Sequence, residues 1–289
     1  MGTDALAATR SSVLSLSLVI PAYNEVDRLP KLLERLKGWH PAGFDPIEIL
    51  IVDDGSTDST RALVKEFLPR DERVRLIESK HGGAMHAVIA GYREARYGFI
   101  ANIDADNATD PAEIERLARH LDGQDVVTGS RLLRGDLPPI EGKSAFRNFI
   151  SNGYSGLFGL LFRCGIRDPQ IGCRIFRREA LLEALPLLTS DHDGIKISEI
   201  LVKSYGMGRA IKVVPVEYHH DPDSRLVPKR PYGVVARVFA ALLVMWMDSD
   251  RQYRSGALKR SPVRAGFLAR LLDRTCGPLI RNLCVAKEA

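Results

Sequence analysis

Hydrophobic and polar residues follow two different periods along the first half of the chain. Short runs rich in Val, Ile and Leu predict buried strands, and segments with apolar residues three and four apart predict helices. The first helix shows this most clearly, because Leu29, Leu32 and Leu36 lie on one apolar stripe. Strands that alternate with helices predict βαβ units on a largely parallel sheet, which is an α/β fold. The predicted strands are Leu16–Ile20, Ile47–Val52, Val74–Ile77, Phe99–Ile103 and Val126–Thr128, and the predicted helices are 26–37, 58–68, 84–95 and 111–121.

The second half is less regular, and its predicted elements are four helices and one strand. A loop between the halves, from Arg131 to Lys143, is rich in glycine, proline and charge, and we expect it to close over a substrate. The helices are expected at 144–163, 178–186, 195–205 and 232–247, and the strand near 210–217.

Composition and cysteine usage are those of an ordinary globular protein. With 289 residues, 45% of them hydrophobic and 27% charged, the chain is long enough to bury a full core. Its four cysteines form no CxxC pair, so no zinc site or disulfide framework is indicated and a cytoplasmic location is expected. The first residues contain no apolar run of signal-peptide length and predict a disordered leader over 1–13.

The positive net charge of +5 belongs to the end of the chain. From Arg251 onward the sequence has nine Lys or Arg and two Asp or Glu, so the rest of the chain carries a net charge of −2. The basic isoelectric point therefore says little about the α/β part, and we expect no nucleic-acid partner.

Three polar clusters come at or just after predicted strands. An α/β sheet binds ligands beyond the carboxyl ends of its strands, so the clusters are expected at one edge. Residues two apart in an extended segment face the same way, so Asp104 and Asp106 can both point to one Mg²⁺ or Mn²⁺ that also holds substrate phosphates. A single DxD motif also arises by chance as an acidic loop, and the motif alone leaves that alternative open. The clusters are Asn24-Glu25, Asp53-Asp54 and Asp104-Ala105-Asp106.

The first two clusters offer contacts for a nucleoside. Asp53 ends the second predicted strand, and its carboxylate could accept hydrogen bonds from a base or ribose. Asp54 with Gly55 is equally consistent with a simple turn. Pro21 stops the first strand and Tyr23 offers a ring for a nucleobase, although each taken singly favours a structural role.

Six motifs occur in an order that resembles the family 2 glycosyltransferases of the GT-A fold. Within that family the chain is most similar to the branch that charges polyprenyl phosphates, the dolichyl-phosphate mannose synthases and dolichyl-phosphate glucosyltransferases. The resemblance covers residues 14–230 and implies a GT-A domain there, followed by a helical, basic extension over 231–289. It also implies an inverting transfer and a divalent metal cofactor. The motifs are VIPAYNE, IVDDGSTDST, HGGAMHAV, IDADNATDP, VVTGSR and IRDPQIGCRIF.

The resemblance implies a role for each residue at a matching position. The metal is expected on Asp104 and Asp106, and the acceptor phosphate on Arg131 and Arg147, because a guanidinium fork suits phosphate oxygens. The residues expected to bind the nucleotide-sugar donor are Pro21, Ala22, Tyr23, Glu25, Asp53, Gly83, Asp104, Ala105 and Asp106. The predicted catalytic residues are Asp106, Arg131 and Glu199.

Two kinds of acceptor remain open, and they place different demands on the site. A phosphate is already ionised at neutral pH and could attack without a strong general base, whereas a hydroxyl acceptor needs one. Asp193 and Glu199 lie in the segment where hydroxyl-directed relatives place that base. Transfer to a soluble hydroxyl, in natural-product or glycan assembly, is therefore the alternative to a polyprenyl phosphate acceptor.

Departures from the family pattern bear on the donor sugar. Mannose synthases commonly carry Gln two residues past the second Asp of the motif, where this chain has Ala108. The stretch from Asp104 to Thr109 is closer to the glucosyltransferase pattern, which favours UDP-glucose over GDP-mannose as the donor. Ile197 stands where related glucosyltransferases have an acid two residues before Glu199, so the contacts to the sugar are expected to differ.

The last part of the chain mixes apolar and basic side chains. Val234–Met247 is its most apolar stretch, but as a helix it reaches only about 21 Å, short of the roughly 30 Å hydrocarbon core of a membrane. It fits a buried core helix and a membrane-resting helix equally well. Residues 264–283 interleave leucines with arginines, as an in-plane helix on an anionic leaflet does, and a helix packed on its own domain has the same pattern. Peripheral attachment to the cytoplasmic membrane face is the hypothesis.

Overall fold

The computed structural model describes residues 13–133, 145–219 and 231–285, and the strands within these ranges form one seven-stranded sheet. The strands are β1 (Leu14–Ala22), β2 (Phe44–Asp53), β3 (Val74–Glu78), β4 (Phe99–Asn102), β5 (Val126–Ser130), β6 (Arg174–Arg177) and β7 (Ile211–Pro215). Their spatial order is β3-β2-β1-β4-β6-β5-β7. Strand β6 pairs antiparallel with β4 and β5, while the other pairings are parallel.

Helices connect the strands and cover the sheet. They are α1 (Leu29–Lys37), α2 (Thr60–Phe67), α3 (Ala84–Glu94), α4 (Ala112–Ala118), α5 (Ala145–Leu161), α6 (Arg178–Ala184), α7 (Asp193–Gly206), α8 (Pro231–Arg254) and α9 (Gly266–Val285). The predicted alternation of strands and helices, and with it the α/β class, is confirmed.

One strand departs from the sequence prediction. The hydrophobic pattern does not predict β6, because its four residues carry arginine at both ends and contain no apolar run of strand length. Pairing with β4 and β5 on either side defines this strand instead, with Phe176 opposite both Ile100 and Val126. Tertiary contacts therefore override local pattern at this position.

Both faces of the sheet are buried under helices. Side chains of a strand alternate between the two faces, so one strand contributes to the hydrophobic cluster on each face. In β1, Leu18 and Ile20 belong to a hydrophobic cluster with residues of α1, α2 and α4. Val19 belongs to a second cluster with residues of α3, α5, α7 and α8. All three side chains are fully buried, so β1 lies at the centre of the molecule.

The apolar helix α8 is a core helix. Leu242, Met245 and Trp246 are buried in the cluster that also contains residues of α5 and α7. The Trp246 indole N–H donates to the carbonyl of Arg264 at 3.0 Å, which ties α8 to the segment before α9. Of the two alternatives for this apolar stretch, the structure supports the buried one.

Helix α9 packs against α8 and is held there by ion pairs. Ala269 is buried in the same cluster, and Ile280 packs against it. Arg281 of α9 contacts Asp248 of α8 at 3.0 Å and Asp273 of its own helix at 3.0 Å. Helix α8 shares the hydrophobic core of the sheet. The division of the chain into a GT-A domain and an extension at residue 231 stays a prediction based on sequence alone.

The two ends of the chain bear on the remaining predictions. The predicted leader, apart from Val13, lies outside the described residues. In the part of the chain that the structure describes, no helix combines the length and the apolar character needed to cross a membrane.

Candidate active site

Three adjacent parallel strands end at the same edge of the sheet. Strand β1 ends at Ala22, β2 at Asp53 and β4 at Asn102, in the spatial order β2-β1-β4. The segments that follow these strands meet there and line a cavity of about 260 Å³. A larger cavity of about 610 Å³ lies beside Leu14 and Phe44, where β1 and β2 begin, and is therefore at the opposite edge from the carboxylates.

The structure brings most of the predicted donor residues together around the smaller cavity. Asp53 is the one predicted donor residue outside this lining. Eight of the nine line it: Pro21, Ala22, Tyr23, Glu25, Gly83, Asp104, Ala105 and Asp106. Four further residues, not predicted as donor contacts, complete the lining: Arg28, Asp54, His81 and Ala84.

The paired carboxylates lie in a tight turn after β4. Asp106 Oδ1 accepts a hydrogen bond from the backbone N–H of Ala108 at 3.0 Å, and Asn107 adopts a left-handed φ of 61°. Gly172 packs directly against Asp104, since a Cβ atom on Gly172 would lie 2.1 Å from Asp104 Oδ2. Burial and, after it, the negative charge of Asp106 raise the pKa of Asp104 to about 6. The pair therefore concentrates negative charge at one point of the cavity.

The chemistry of this lining fits a divalent cation. Carboxylate oxygens suit Mg²⁺ or Mn²⁺, and four acids line the cavity: Glu25, Asp54, Asp104 and Asp106. Asp104 and Asp106, two residues apart in the turn after β4, are the pair that would hold the ion. The buried Oδ1 of Asn107 beside them has no hydrogen-bond partner among the described residues. The described residues contain no group of three or more His, Cys, Asp or Glu placed to hold a metal ion by themselves.

The two acids at the end of β2 differ in their surroundings. Asp53 is fully buried, and its Oδ2 accepts hydrogen bonds from Nε and Nη2 of Arg61 at 2.9 and 2.7 Å. Asp54 lines the cavity and accepts the backbone N–H groups of Gly82 and Gly83. The structure thus brings Asp54 to the cavity, and the donor-binding role of Asp53 stays a prediction.

An aromatic pair forms one wall of the cavity. The rings of Tyr23 and His81 stack with their centroids 4.3 Å apart and an angle of 25° between planes. His81 Nδ1 lies 2.9 Å from Asp54 Oδ2, which fixes the imidazole beside Tyr23. Tyr23 is 38% exposed, so the pair presents an aromatic surface on which a planar base could stack. His81 lies inside the HGGAMHAV motif, which was the available signal for it.

Of the two predicted acceptor arginines, the structure describes the side chain of Arg131 but not that of Arg147. Arg131 lies just after β5 and forms a two-point ion pair with Asp168, through Nε at 2.8 Å and Nη2 at 2.7 Å. Burial acts to lower the pKa of Arg131, but Asp168 outweighs it and holds that pKa above its ordinary value. Its guanidinium also lies 5.0 Å above the Tyr218 ring and close enough to Asp104 for their charges to interact. Arg147 lies in α5, and its side chain is outside the described residues.

Glu199, one of the predicted catalytic residues, lies in the interior and not in the cavity lining. It is fully buried in α7, with Lys203 Nζ 3.2 Å from its Oε1. Its carboxylate also accepts the backbone N–H groups of Thr189 at 2.8 Å and Ser190 at 3.0 Å. These contacts join the loop before α7 to the helix. The geometry gives Glu199 a structural role, and its catalytic role stays a prediction.

The hydrophobic pattern of the sequence did not predict one buried, charged residue near the site. Arg174 begins β6, is 1% exposed, and donates from Nη2 to the carbonyl of Pro169 at 3.0 Å. Burial lowers its pKa, while Tyr92, Asp168 and Asp104 act against that effect. Its positive charge in turn favours ionised Asp104. Only the pairing of β6 with β4 and β5 places this arginine in the centre of the sheet.

Sequence comparison decides the family. The profile described as glycosyl transferase family 2 matches residues 17–185, more than half of the chain. The chain belongs to glycosyl transferase family 2. The matched region contains every residue of the cavity lining. Membership of this family makes the chain a glycosyltransferase.

Two relatives illustrate the similarity. A dolichyl-phosphate beta-glucosyltransferase of Dictyostelium discoideum is 30% identical over 249 residues, which cover 80% of this chain and 76% of the relative. The glycosyltransferase AglD of Haloferax volcanii is 30% identical over 230 residues, covering 76% of this chain. The matched part of this chain spans only 35% of the length of AglD.

Solved structures share the fold. Glucosyl-3-phosphoglycerate synthase from Mycobacterium tuberculosis in complex with UDP superposes with a TM-score of 0.59 at 18% identity, covering 81% of this chain and 80% of that one. The mannosyltransferase PcManGT from Pyrobaculum calidifontis, in complex with GDP-Man and Mn²⁺, gives a TM-score of 0.53 at 17% identity over 94% and 73% of the two chains. The mostly parallel sheet with flanking helices is therefore the GT-A fold.

Proposed function

We propose that this family 2 glycosyltransferase transfers glucose from UDP-glucose to a polyprenyl phosphate in a metal-dependent, inverting reaction. The observation that carries the proposal is the acidic cavity at the ends of β1, β2 and β4, inside the region similar to dolichyl-phosphate beta-glucosyltransferases. Four carboxylates in one cavity suit a metal-bound diphosphate and repel a bare one.

The donor would lie with its base against the aromatic pair and its diphosphate near the paired carboxylates. Tyr23 and His81 offer a stacking surface, and Asp54 fixes His81. Asp104 and Asp106 would hold Mg²⁺ or Mn²⁺, which neutralises the charge on the leaving nucleoside diphosphate. Ala108 follows the motif where mannose synthases carry Gln, which supports a glucosyl over a mannosyl donor.

The acceptor phosphate would approach from the side of Arg131. In the transfer, the bond between the anomeric carbon and the diphosphate oxygen breaks, and an acceptor phosphate oxygen bonds to that carbon from the opposite face. Arg131 lies near Asp104 and is held by Asp168, so its charge is fixed in place before the acceptor binds. Arg147 is proposed as the second acceptor arginine on sequence grounds.

The surroundings of the two candidate bases support a phosphate over a hydroxyl acceptor. Both oxygens of Glu199 are engaged inside the protein, and Asp193 accepts two backbone N–H groups of α3. A phosphate monoester brings its own ionised nucleophile, so the reaction needs neither acid as a base. The remaining work is orientation and stabilisation of the leaving group.

Activity with a panel of donors tests the proposal. The full chain would be incubated with radiolabelled UDP-glucose, UDP-galactose or GDP-mannose, polyprenyl phosphate and Mg²⁺ or Mn²⁺. We expect organic-extractable label mainly from UDP-glucose, its loss on adding EDTA, and a loss of over about 100-fold in Asp106→Ala. Transfer from GDP-mannose alone, or full activity with EDTA, would contradict the donor or the metal.

We propose further that α9 rests on an anionic membrane surface. Of the ten large hydrophobic residues that are exposed in the described part of the chain, five lie on this one helix: Phe267, Leu268, Leu271, Leu279 and Leu283. Helix α9 is therefore apolar on the side away from α8 as well as on the side that packs against it. The exposed Arg274, three residues along the helix from Leu271, suits anionic lipid headgroups.

A further inference from the structure

The N-terminus of α3 forms part of the donor cavity, and acidic side chains occupy its backbone N–H groups. Asp54 accepts the N–H of Gly82 at 3.0 Å and that of Gly83 at 2.9 Å. Asp193 accepts the N–H of Met85 at 3.0 Å and that of His86 at 3.1 Å. Four of the five N–H groups from residue 82 to 86 are thus bonded to two carboxylates. A helix start satisfied in this way is not open to a phosphate.

Asp193 reaches this position from a distant part of the sequence. It is the first residue of α7, more than a hundred residues after Met85, and it is partly buried. His192 caps α7 by accepting the N–H of Gly194 at 3.1 Å, so Asp193 is available to cap a different helix. The carboxylate therefore lies between the N-termini of α7 and α3, where two helix dipoles both favour a negative charge.

Gly83 connects this contact to the cavity. Its φ of 101° lies in the left-handed region, and a Cβ atom on it would be 2.7 Å from Asp193 Oδ2. Gly83 and Ala84 both line the cavity, and Asp54 holds Gly83 from the other side. Asp193 and Asp54 together fix the backbone that faces the donor.

We infer that Asp193 is a positioning residue: it caps α3 from α7 and so holds the Gly83 turn in the conformation that receives the nucleotide. The identity of the nucleotide in this inference rests on the proposed function. The positioning role replaces the role of general base, which the sequence also allowed for Asp193. Its consequence is that the donor diphosphate binds on the side of Asp104 and Asp106, because the α3 N-terminus is already satisfied.

Replacement of Asp193 by Asn and by Ala separates the two roles. Asn keeps one carbonyl oxygen that can cap a helix, but it cannot accept a proton as a base. For Asp193→Ala we expect UDP affinity in the presence of Mg²⁺, measured by calorimetry, to fall about tenfold. For Asp193→Asn we expect a fall of no more than about threefold, with kcat within about threefold of the unmodified enzyme in both variants.

The matched control is Asp191→Ala, which removes an exposed acid from the same loop and should leave UDP affinity unchanged. Unchanged UDP affinity in Asp193→Ala would overturn the inference. So would a loss of kcat of over about 100-fold in both Asp193 variants with UDP affinity kept, since that is the signature of a lost base. If Asp193→Ala does not fold, amide hydrogen exchange is measured in Asp193→Asn instead. Faster exchange at Met85 and His86, with exchange elsewhere unaltered, supports the inference. Unaltered exchange at Met85 and His86 overturns the inference. UDP binding is measured without an acceptor, so it tests Asp193 even if no transfer to polyprenyl phosphate is found.

Discussion

At the scale of single residues, the site depends on backbone that comes close to its carboxylates. Gly172 lies in the loop before β6, and its carbonyl accepts a hydrogen bond from the Asn102 side chain. Its Cα faces Asp104 so closely that no side chain fits between them. The absence of a side chain on Gly172 thereby leaves room for the Asp104 carboxylate in its observed position. The sequence motif predicted the carboxylate and gave no sign of this contact.

Replacement of Gly172 by Ala should therefore damage the site more than the fold. The added methyl group would displace the Asp104 carboxylate, which can rotate away, so we expect the melting temperature to fall by no more than a few degrees. Misplacement of this group should lower kcat/KM by about 10- to 100-fold. Gly159→Ala in α5, where a Cβ meets no atom within 4 Å, is the control and should leave activity unchanged. Equal activity of the two variants would rule out a role for Gly172.

At the scale of elements, a buried glutamate joins the strands that carry the site. Glu48 of β2 accepts a hydrogen bond from Ser17 of β1 at 2.7 Å and pairs with Arg75 of β3 at 2.7 Å. The backbone N–H of Arg96, just before β4, donates to the same carboxylate at 2.8 Å. Burial acts to raise the pKa of Glu48, but these contacts outweigh it and hold that pKa below its ordinary value. Because its folded pKa is lowered, Glu48 stabilises the protein above its unfolded pKa, and this contribution is lost as the pH falls through the folded value.

Glu48→Gln should therefore destabilise the protein in a pH-dependent way. We expect the free energy of unfolding to fall by about 1–2 kcal/mol at pH 7, and the difference to shrink as the pH falls below the ordinary glutamate pKa of about 4.3. Urea unfolding of both proteins at pH 7 and pH 3.5 measures it. Glu66→Gln, at an exposed pair with Arg70, is the control and should change stability by less than about 0.5 kcal/mol. The same loss at both pH values for Glu48→Gln would contradict the account.

Helices and strands were predictable where apolar residues recur with one period, as in α1 and β1. Strand β6 was not, because its arginines look like the ends of a surface segment until β4 and β5 flank them. The same limit applies to the two acids at the end of β2: Asp53 pairs with Arg61, whereas Asp54 lines the cavity. Local pattern locates the cluster, and contacts between elements decide which side chain of the cluster faces a ligand.

At the scale of the whole molecule, α8 and α9 connect the core of the sheet to a surface of different chemistry. Helix α8 continues the core beneath α7, and α9 covers α8 while leaving five large apolar side chains exposed. Ion pairs of Arg281 with Asp248 and of Arg251 with Asp273 fix α9 to α8. An exposed apolar surface of this kind suits the proposed approach to a lipid-linked acceptor.

Substitution of two exposed apolar residues on α9 tests this surface. We expect the full chain to float with vesicles that contain anionic lipid, and the double variant Phe267→Glu with Leu279→Glu to lose most of that binding, because both charges would enter the apolar interface. The control is Val13→Glu, at an exposed apolar residue just before β1, and this variant should float like the unmodified chain. Equal flotation of the double variant, or no flotation of the unmodified chain, would show that α9 does not bind the membrane.

The central claim is that the acceptor is a phosphate, and a choice between two matched lipids tests it most directly. The full chain would be given radiolabelled UDP-glucose and Mg²⁺ with either a polyprenyl phosphate or the polyprenol of the same length. The account predicts organic-extractable glucosyl product with the phosphate and none with the alcohol, because the proposed reaction uses neither Asp193 nor Glu199 as a base for a hydroxyl. Transfer to the polyprenol, or label that appears only in water-soluble products, would contradict it.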